Sequence, residues 1–228
     1  MKIISVIPVN GRESIIKNTI NRLIKQVYKV IIAGHTNDEA NICEGSDFYL
    51  CDNNMTVGAK WQFCVNKSRE YSPDAILIVG SGGMISDNWC EILYNDLIDY
   101  DMVGSAGIYF LDYQPISKRL FYWPGYKGSR SLEPIGMGRL ISKSFLDKVN
   151  WQIFDKNSNS GLDHSTMRII GRNSGKVNIN RSPDIKSMRI SSYKYVQKDS
   201  YDRLRRHPGA KEINNINEFL ALNFPEAL

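Results

Sequence analysis

The first 107 residues alternate short apolar runs with stretches of helical periodicity, and that alternation predicts an α/β domain on a mostly parallel sheet. Two compositional observations agree. A chain of 228 residues is long enough for one sizeable core and short for two average domains. With 42% hydrophobic and 23% charged residues, usage is ordinary for a globular protein, which excludes disordered, collagen-like and disulfide-scaffold classes.

In chain order, apolar runs predict strands at Ile3–Pro8, Lys29–Ala33, Asp47–Leu50 and Ala75–Val79. Between them, Glu13–Val27 sets Ile15, Ile16, Ile20, Leu23, Ile24 and Val27 on one helical face, and Val57–Arg69 does the same with Trp61, Cys64 and Val65. A third helix is expected over Asn88–Ile98, started by Ser86 or Asp87 as N-cap, with a strand at Met102–Gly107 after it. Strand order is not readable. The middle of the chain changes character: short aromatic pieces, Ile108–Leu111 and Leu120–Pro124, lie between turn residues, and the polar stretch Asp155–Ser160 follows. An irregular, partly antiparallel region is expected there. A short strand at Lys176–Ile179 precedes helical pieces around Asp199–Arg206 and Ile213–Leu222, read as an extension packed on the same domain.

Cys43, Cys51, Cys64 and Cys90 lie 8, 13 and 26 apart, a spacing of neither a zinc site nor a redox pair, so core thiols are expected. The net charge of +5 is uneven: residues 165–228 carry 12 Lys/Arg against 6 Asp/Glu, so the whole excess sits in that stretch. Such a bias suits nucleic acid, an anionic membrane or a phosphate-bearing small molecule. Aromatic and basic residues are not interleaved as a nucleic-acid stacking groove requires, so no nucleic acid partner is expected. No apolar run approaches a membrane span and the start is too short for a signal h-region, so the expectation is a cytoplasmic protein, with at most peripheral membrane contact by the basic tail.

Polar residues stand directly after strand ends, at Pro8–Arg12, Gly34–Asp38, Asp52–Asn54 and Gly80–Gly83. Ligands of open α/β sheets bind beyond the carboxyl ends of the strands, so these segments are placed to line one pocket. Ordinary turns use the same residue types.

Several segments taken in order resemble the GT-A fold glycosyltransferases, in particular the large inverting family 2-like group. Ile4–Pro8 with Arg12 looks like that family's opening strand and loop, Thr36-Asn-Asp38 like its S-x-D turn, and Asn54–Lys60 with Asn66 like its N-x-x-G helix. Ala75–Ser86 is similar to its metal-site strand and loop. Gly136-Met-Gly138, Ile141–Leu146 and Gly161-Leu-Asp163 resemble the acceptor-side segment that ends in the catalytic carboxylate.

The resemblance implies one GT-A-like domain over 1–228, a Rossmann-like fold with a mixed, mostly parallel sheet flanked by helices. Its parts would be a nucleotide-sugar-binding half at about 1–107, an acceptor-side half at about 108–190 and a basic helical extension at about 191–228. It further implies a nucleoside diphosphate sugar as donor, a glycan acceptor, and a hexosyltransferase-type reaction with inversion, as in the group it resembles. On the donor side it points to Pro8, Val9, Arg12, His35, Asp52, Lys60, Gly80, Ser81, Gly82, Lys186 and Arg189. On the acceptor side it points to Trp123, Tyr126, Gly136, Met137 and Gly138, aromatic rings being suited to the C–H faces of sugars.

Inverting transfer needs a carboxylate to take the acceptor proton and positive charge to stabilise the departing diphosphate. Asp163, following a glycine and opening an apparent helix, is the expected base, with His164 beside it; Asp155 and Asp184 come next. Asp163 reads also as a helix N-cap. The departure is in the D-x-D loop: Ser81, Gly82 and Gly83 offer no carboxylate, whereas Mg²⁺ and Mn²⁺ need hard oxygen ligands. Three readings stay open. Basic side chains (Lys60, Lys186, Arg189, Arg203, Arg205, Arg206, His207) neutralise the leaving group, or an ion is held by phosphate and water with His207 as a weak candidate ligand, or the chain is a non-catalytic sugar-nucleotide or glycan binding module.

Overall fold

The computed structural model describes residues 1–9, 11, 13–113, 118–192 and 205–228. The expected placement of Arg12, Arg203 and most of the helix around Asp199–Arg206 therefore lies outside the described residues.

Five elements form close to where the sequence puts them. They are β1 (Ile3–Pro8), β2 (Lys29–Gly34), β3 (Asp47–Leu50), β4 (Ala75–Ile78) and the helix α3 (Val57–Arg69). β1 lies parallel between β2 and β4, and its side chains alternate across the sheet. Ile3 and Ile7 pack on the face covered by α1 (Glu13–Leu23) and α4 (Trp89–Asp96), Ile4 and Val6 on the face covered by α3, α5 (Lys143–Lys148) and α6 (Leu162–Arg172). The full order is β10-β6-β9-β4-β1-β2-β3, adding β6 (Met102–Ser105), β9 (Arg139–Ser142) and β10 (Val177–Asn180), with β9 antiparallel to both neighbours.

Several expectations are corrected. α1 stops at Leu23 because a turn takes over, Gln26 and Val27 both donating to the Leu23 carbonyl; Val27 still packs on the core, which is why the apolar pattern overran. Neither Ser86 nor Asp87 caps α4: Asn88 holds the N-cap position, while the Ser86 hydroxyl accepts from the Lys186 amide and Asp87 pairs with Arg22. α2 (Asn37–Ile42) was not anticipated, being too short for periodicity. The aromatic pieces of the middle third are regular strands, β7 (Ile108–Tyr113) and β8 (Lys118–Trp123), paired antiparallel.

β7 and β8 belong to a second sheet of order β12-β8-β7-β11-β5, with β5 (Gly83–Ile85), β11 (Ser187–Ser192) and β12 (Lys211–Glu212). Its apolar face meets the C-terminal helix α7 (Ile216–Asn223) through Leu111, Leu120, Leu220 and Phe224. Buried Arg22 of α1 donates to the carbonyls of Ile85 and Asn223, which ties α7 to α1 and β5. Cys43, Cys64 and Cys90 are buried free thiols and Cys51 is half-buried. For function, the decisive feature is at the end of β4: the chain turns at Gly80, where the Gly83 amide donates to the Gly80 carbonyl, and leaves the first sheet for the second. A cleft opens between the two.

Candidate active site

The cleft has a volume of about 570 Å³. Pro8 and the β4 loop Gly80–Gly82 form its floor, β7, β8 and the segment after them one wall, and the N-terminal ends of α3 and α6 the other. Those two helix starts are tied together. Thr56 caps α3 by accepting from the Ala59 amide, the Val57 amide donates to the Asn159 side chain, and the Gly58 amide donates to the Ser158 carbonyl. Buried Gln62 completes the join, its amide oxygen accepting from Ile153 and Phe154 and its nitrogen donating to Trp151. One result is a stacked pair, Trp61 on Phe154 at 5.2 Å, at the cleft edge.

Asp163 projects from the first turn of α6. Gly161, at φ 67°, is the N-cap, so the expectation that Asp163 caps the helix is corrected; its side chain is engaged elsewhere. Its Oδ2 accepts from the Tyr126 hydroxyl at 3.1 Å, and its carbonyl accepts from Arg139 at 3.0 Å. Gly136 makes this position possible: a Cβ there would lie 2.1 Å from Oδ1. Burial and the neighbouring carboxylate push the Tyr126 phenol up to about 12, so it stays protonated and holds the carboxylate as a donor. Across the ring of Tyr126 lies Arg130, 3.6 Å from the centroid, which pairs with Glu133; Glu133 in turn meets His164 at 3.1 Å.

Arg139 is the buried anchor of this corner. Its guanidinium donates to the carbonyls of Pro134, Ile135 and Asp163, fixing the Gly136 turn and the start of α6 to β9. Arg139→Ala would strand three carbonyls in a dry interior, and is expected to cost about 3 kcal/mol. A fall in urea midpoint at unchanged m-value is the measurement that checks it.

Arg189 enters from β11. Its neighbours Met188 and Ile190 are buried on one face of the strand, so Arg189 points the other way, into the cleft. It stands in register opposite Gly83, and the Ile190 amide donates to the Gly82 carbonyl, so the β4 loop and this cation are bound together. Its surface is open to the cleft, yet the surrounding walls withdraw enough water to lower its pKa, an effect that Asp163 opposes.

Of the residues the sequence singled out, the cleft gathers Pro8, Gly80, Ser81, Gly82, Trp123, Tyr126, Gly136, Met137, Asp163, His164 and Arg189. Others it does not. Val9 is buried beneath the first strand end. Lys60 is buried too, its Nζ donating to the Val9 carbonyl at 3.3 Å and its pKa lowered by that burial, so it braces the loop rather than facing the cleft. His35 and Asp52 sit over β2 and β3, His35 Nδ1 near the Cys51 carbonyl and Asp52 accepting from the Asn54 amide. The Lys186 ammonium donates to the Pro183 carbonyl, and Gly138 packs on Trp89. His207 lies edge-on to Trp123 at 6.2 Å with Nδ1 accepting from the Gly209 amide.

Sequence reasoning missed the supports. Buried Glu39 accepts from the amides of Gly11, His35 and Thr36, fastening the loop after β1 to that after β2. The Thr36…Glu39 spacing is a capping box and was there to be found.

The residues present do not fit a divalent cation at the β4 loop. The loop has no carboxylate, a guanidinium stands opposite it, and among the described residues no three His, Cys, Asp or Glu side chains come together.

No family model matches the chain, and no curated protein does. Solved structures do. S. aureus TarS 1-349 in complex with UDP-GlcNAc aligns with TM-score 0.59 at 12% identity, covering 84% of this chain and 59% of that one. The same protein in complex with UDP gives 0.56 at 13% identity, covering 89% and 63%. CMP:2-keto-3-deoxy-manno-octonic acid synthetase complexed with CTP gives 0.51 at 12% identity, covering 90% and 97%. The chain thus spans about 60% of the length of TarS 1-349. At such identities the likeness is one of fold, and this chain has the GT-A-like fold, with a mixed, mostly parallel central sheet flanked by helices.

Proposed function

We propose that this chain is a glycosyltransferase that moves a sugar, of hexose type, from a nucleoside diphosphate sugar to a hydroxyl of a carbohydrate acceptor with inversion. The observation that carries the reading is the shared cleft: the Asp163 carboxylate faces the same space as Pro8 and the Gly80–Gly82 strand-end loop. The donor lies along the strand ends, with its diphosphate at the β4 loop. The acceptor lies between Trp123, Tyr126 and the Gly136–Met137 turn. The acceptor oxygen forms its bond to the anomeric carbon as its proton passes to Asp163. The bond from that carbon to the phosphate oxygen breaks, and its electron pair leaves with the nucleoside diphosphate. TarS, whose structures hold UDP-GlcNAc and UDP, supports the donor class by fold.

The test is ligand binding followed by turnover. UDP, GDP or dTDP at a hundred times its dissociation constant adds about 2.7 kcal/mol of stability, a melting shift of roughly 5–10 °C for a chain of this size. The reading fails if none of the three shifts melting at millimolar concentration. A non-catalytic binding module is the second reading, favoured by the missing loop carboxylates. It predicts the same shift with no transfer or donor hydrolysis for any sugar nucleotide, with or without Mn²⁺.

A further inference from the structure

Among the described residues, Arg189 is a cleft cation without a partner. Arg130 is held by Glu133, Arg139 by three carbonyls, Lys60 by Val9 and Lys186 by Pro183. Arg189, among the described residues, has no hydrogen-bond or ion-pair partner, and the cleft it enters is lined also by Ile108, Phe110 and the β4 loop. A guanidinium carries five donors in a planar fork, and at Arg189 that fork faces the cleft with none of them taken by a described residue. A free fork at the wall of a cleft is placed to receive an anion.

Its location says which ligand. The antiparallel pairing of β5 with β11 puts Arg189 opposite Gly83, and the Gly82 carbonyl is fastened to the next residue. The strand-end loop that lacks carboxylates and the strand that brings a fixed positive charge are therefore one structural unit. A carboxylate at Gly83 would stand in register with this positive charge.

We propose that Arg189 takes the place of a divalent cation at this site, binding the diphosphate of the donor through its guanidinium so that donor binding and leaving-group departure are metal-independent. The proposal rests on the nucleotide-sugar reading above and names the group that neutralises the leaving charge in it. A planar fork matches two phosphate oxygens at once, and its charge does not titrate away in the neutral range. When the glycosidic carbon–oxygen bond breaks, the electron pair settles on a phosphate oxygen already held by Arg189, while the acceptor proton goes to Asp163. No further reactant is needed. Arg189 shares the cleft with Asp163, whose Oδ2 is held by the Tyr126 hydroxyl.

Isothermal titration in EDTA tests this, using UDP, GDP and dTDP beside the bare nucleosides uridine, guanosine and thymidine. At least one diphosphate is expected to bind in EDTA within about threefold of its affinity in Mg²⁺. Arg189→Gln is expected to weaken that diphosphate by about tenfold or more while changing its nucleoside less than twofold, and Arg189→Lys to recover part of the loss. Arg189 is open to the cleft and holds no other group, so unchanged melting of the free variant serves as the folding control. Diphosphate binding that vanishes in EDTA, or that survives Arg189→Gln at full strength, overturns the proposal while leaving the nucleotide-sugar reading standing. Failure of every diphosphate and nucleoside to bind the parent chain overturns both.

Discussion

Asp163→Asn is expected to slow sugar transfer by about a hundredfold or more while donor affinity stays nearly unchanged. The substitution keeps the shape of the side chain and an oxygen to accept from Tyr126, so what it removes is the proton acceptor. The position of the residue makes the test selective. Because Gly161 holds the N-cap, Asp163 contributes to α6 only as an acid in the first turn, worth about 0.3–1 kcal/mol with the helix dipole. Melting should therefore move by no more than a few degrees. Single-turnover product formation, measured beside donor affinity for both forms, decides. A parent that transfers and an Asn variant that keeps its rate would exclude Asp163 as the base. The sequence offered Asp155 and Asp184 as the next candidates, but neither lines the cleft: Asp155 accepts from Asn157 and Ser158, and Asp184 from Ser182.

The parallel half of the fold was legible because β1, β2 and β4 are buried on both faces and read as continuous apolar runs, while the half-exposed edge strand β3 is bounded by turn residues. Ile3–Pro8 and Asp47–Leu50 were bounded correctly, and Val57–Arg69 was fixed by periodicity. β9 and β5 were not legible for a common reason: each is short and opens on a residue that argues against a strand. Arg139 heads a fully buried strand only because three carbonyls converge on its guanidinium, and Gly83 heads another because the Met137 side chain occupies the space a Cβ would need. Both are outcomes of long-range closure. In the cleft, strand-end polarity found Pro8 and the β4 loop, and the family resemblance found Asp163. Trp61 was read as a core residue and is half so: it packs on the core around Ile4 and Val6 and lines the cleft with Phe154. Lys60 shows the opposite error. A lysine near a strand end suggests a phosphate contact, but burial turns it toward the Val9 carbonyl, a choice no local pattern reveals.

Gly136→Ala is expected to reduce transfer about as far as loss of the base itself, by a different route. An added Cβ would stand 2.1 Å from Oδ1 and 2.4 Å from both Cγ and Oδ2 of Asp163, well inside contact distance, so the carboxylate must swing away. Gly136 is not among the positive-φ glycines, so alanine brings no backbone strain, and the group that yields is the end of a side chain rather than main chain. Stability should then change by less than about 1 kcal/mol, Ala also lowering the entropy of the unfolded chain. Rate should suffer because a displacement of about 1 Å from the attacking hydroxyl is enough to cost about a hundredfold. The two variants separate chemistry from geometry. Asp163→Asn leaves an amide in place with no base, whereas Gly136→Ala leaves a base out of place and loses its hydrogen bond from Tyr126. Transfer by the Ala variant at the parental rate, with Asp163→Asn inactive, would mean that the carboxylate works from another rotamer than the one bonded to Tyr126. A Gly136→Ala chain that melts many degrees early would instead show that the turn, and not the carboxylate, gives way.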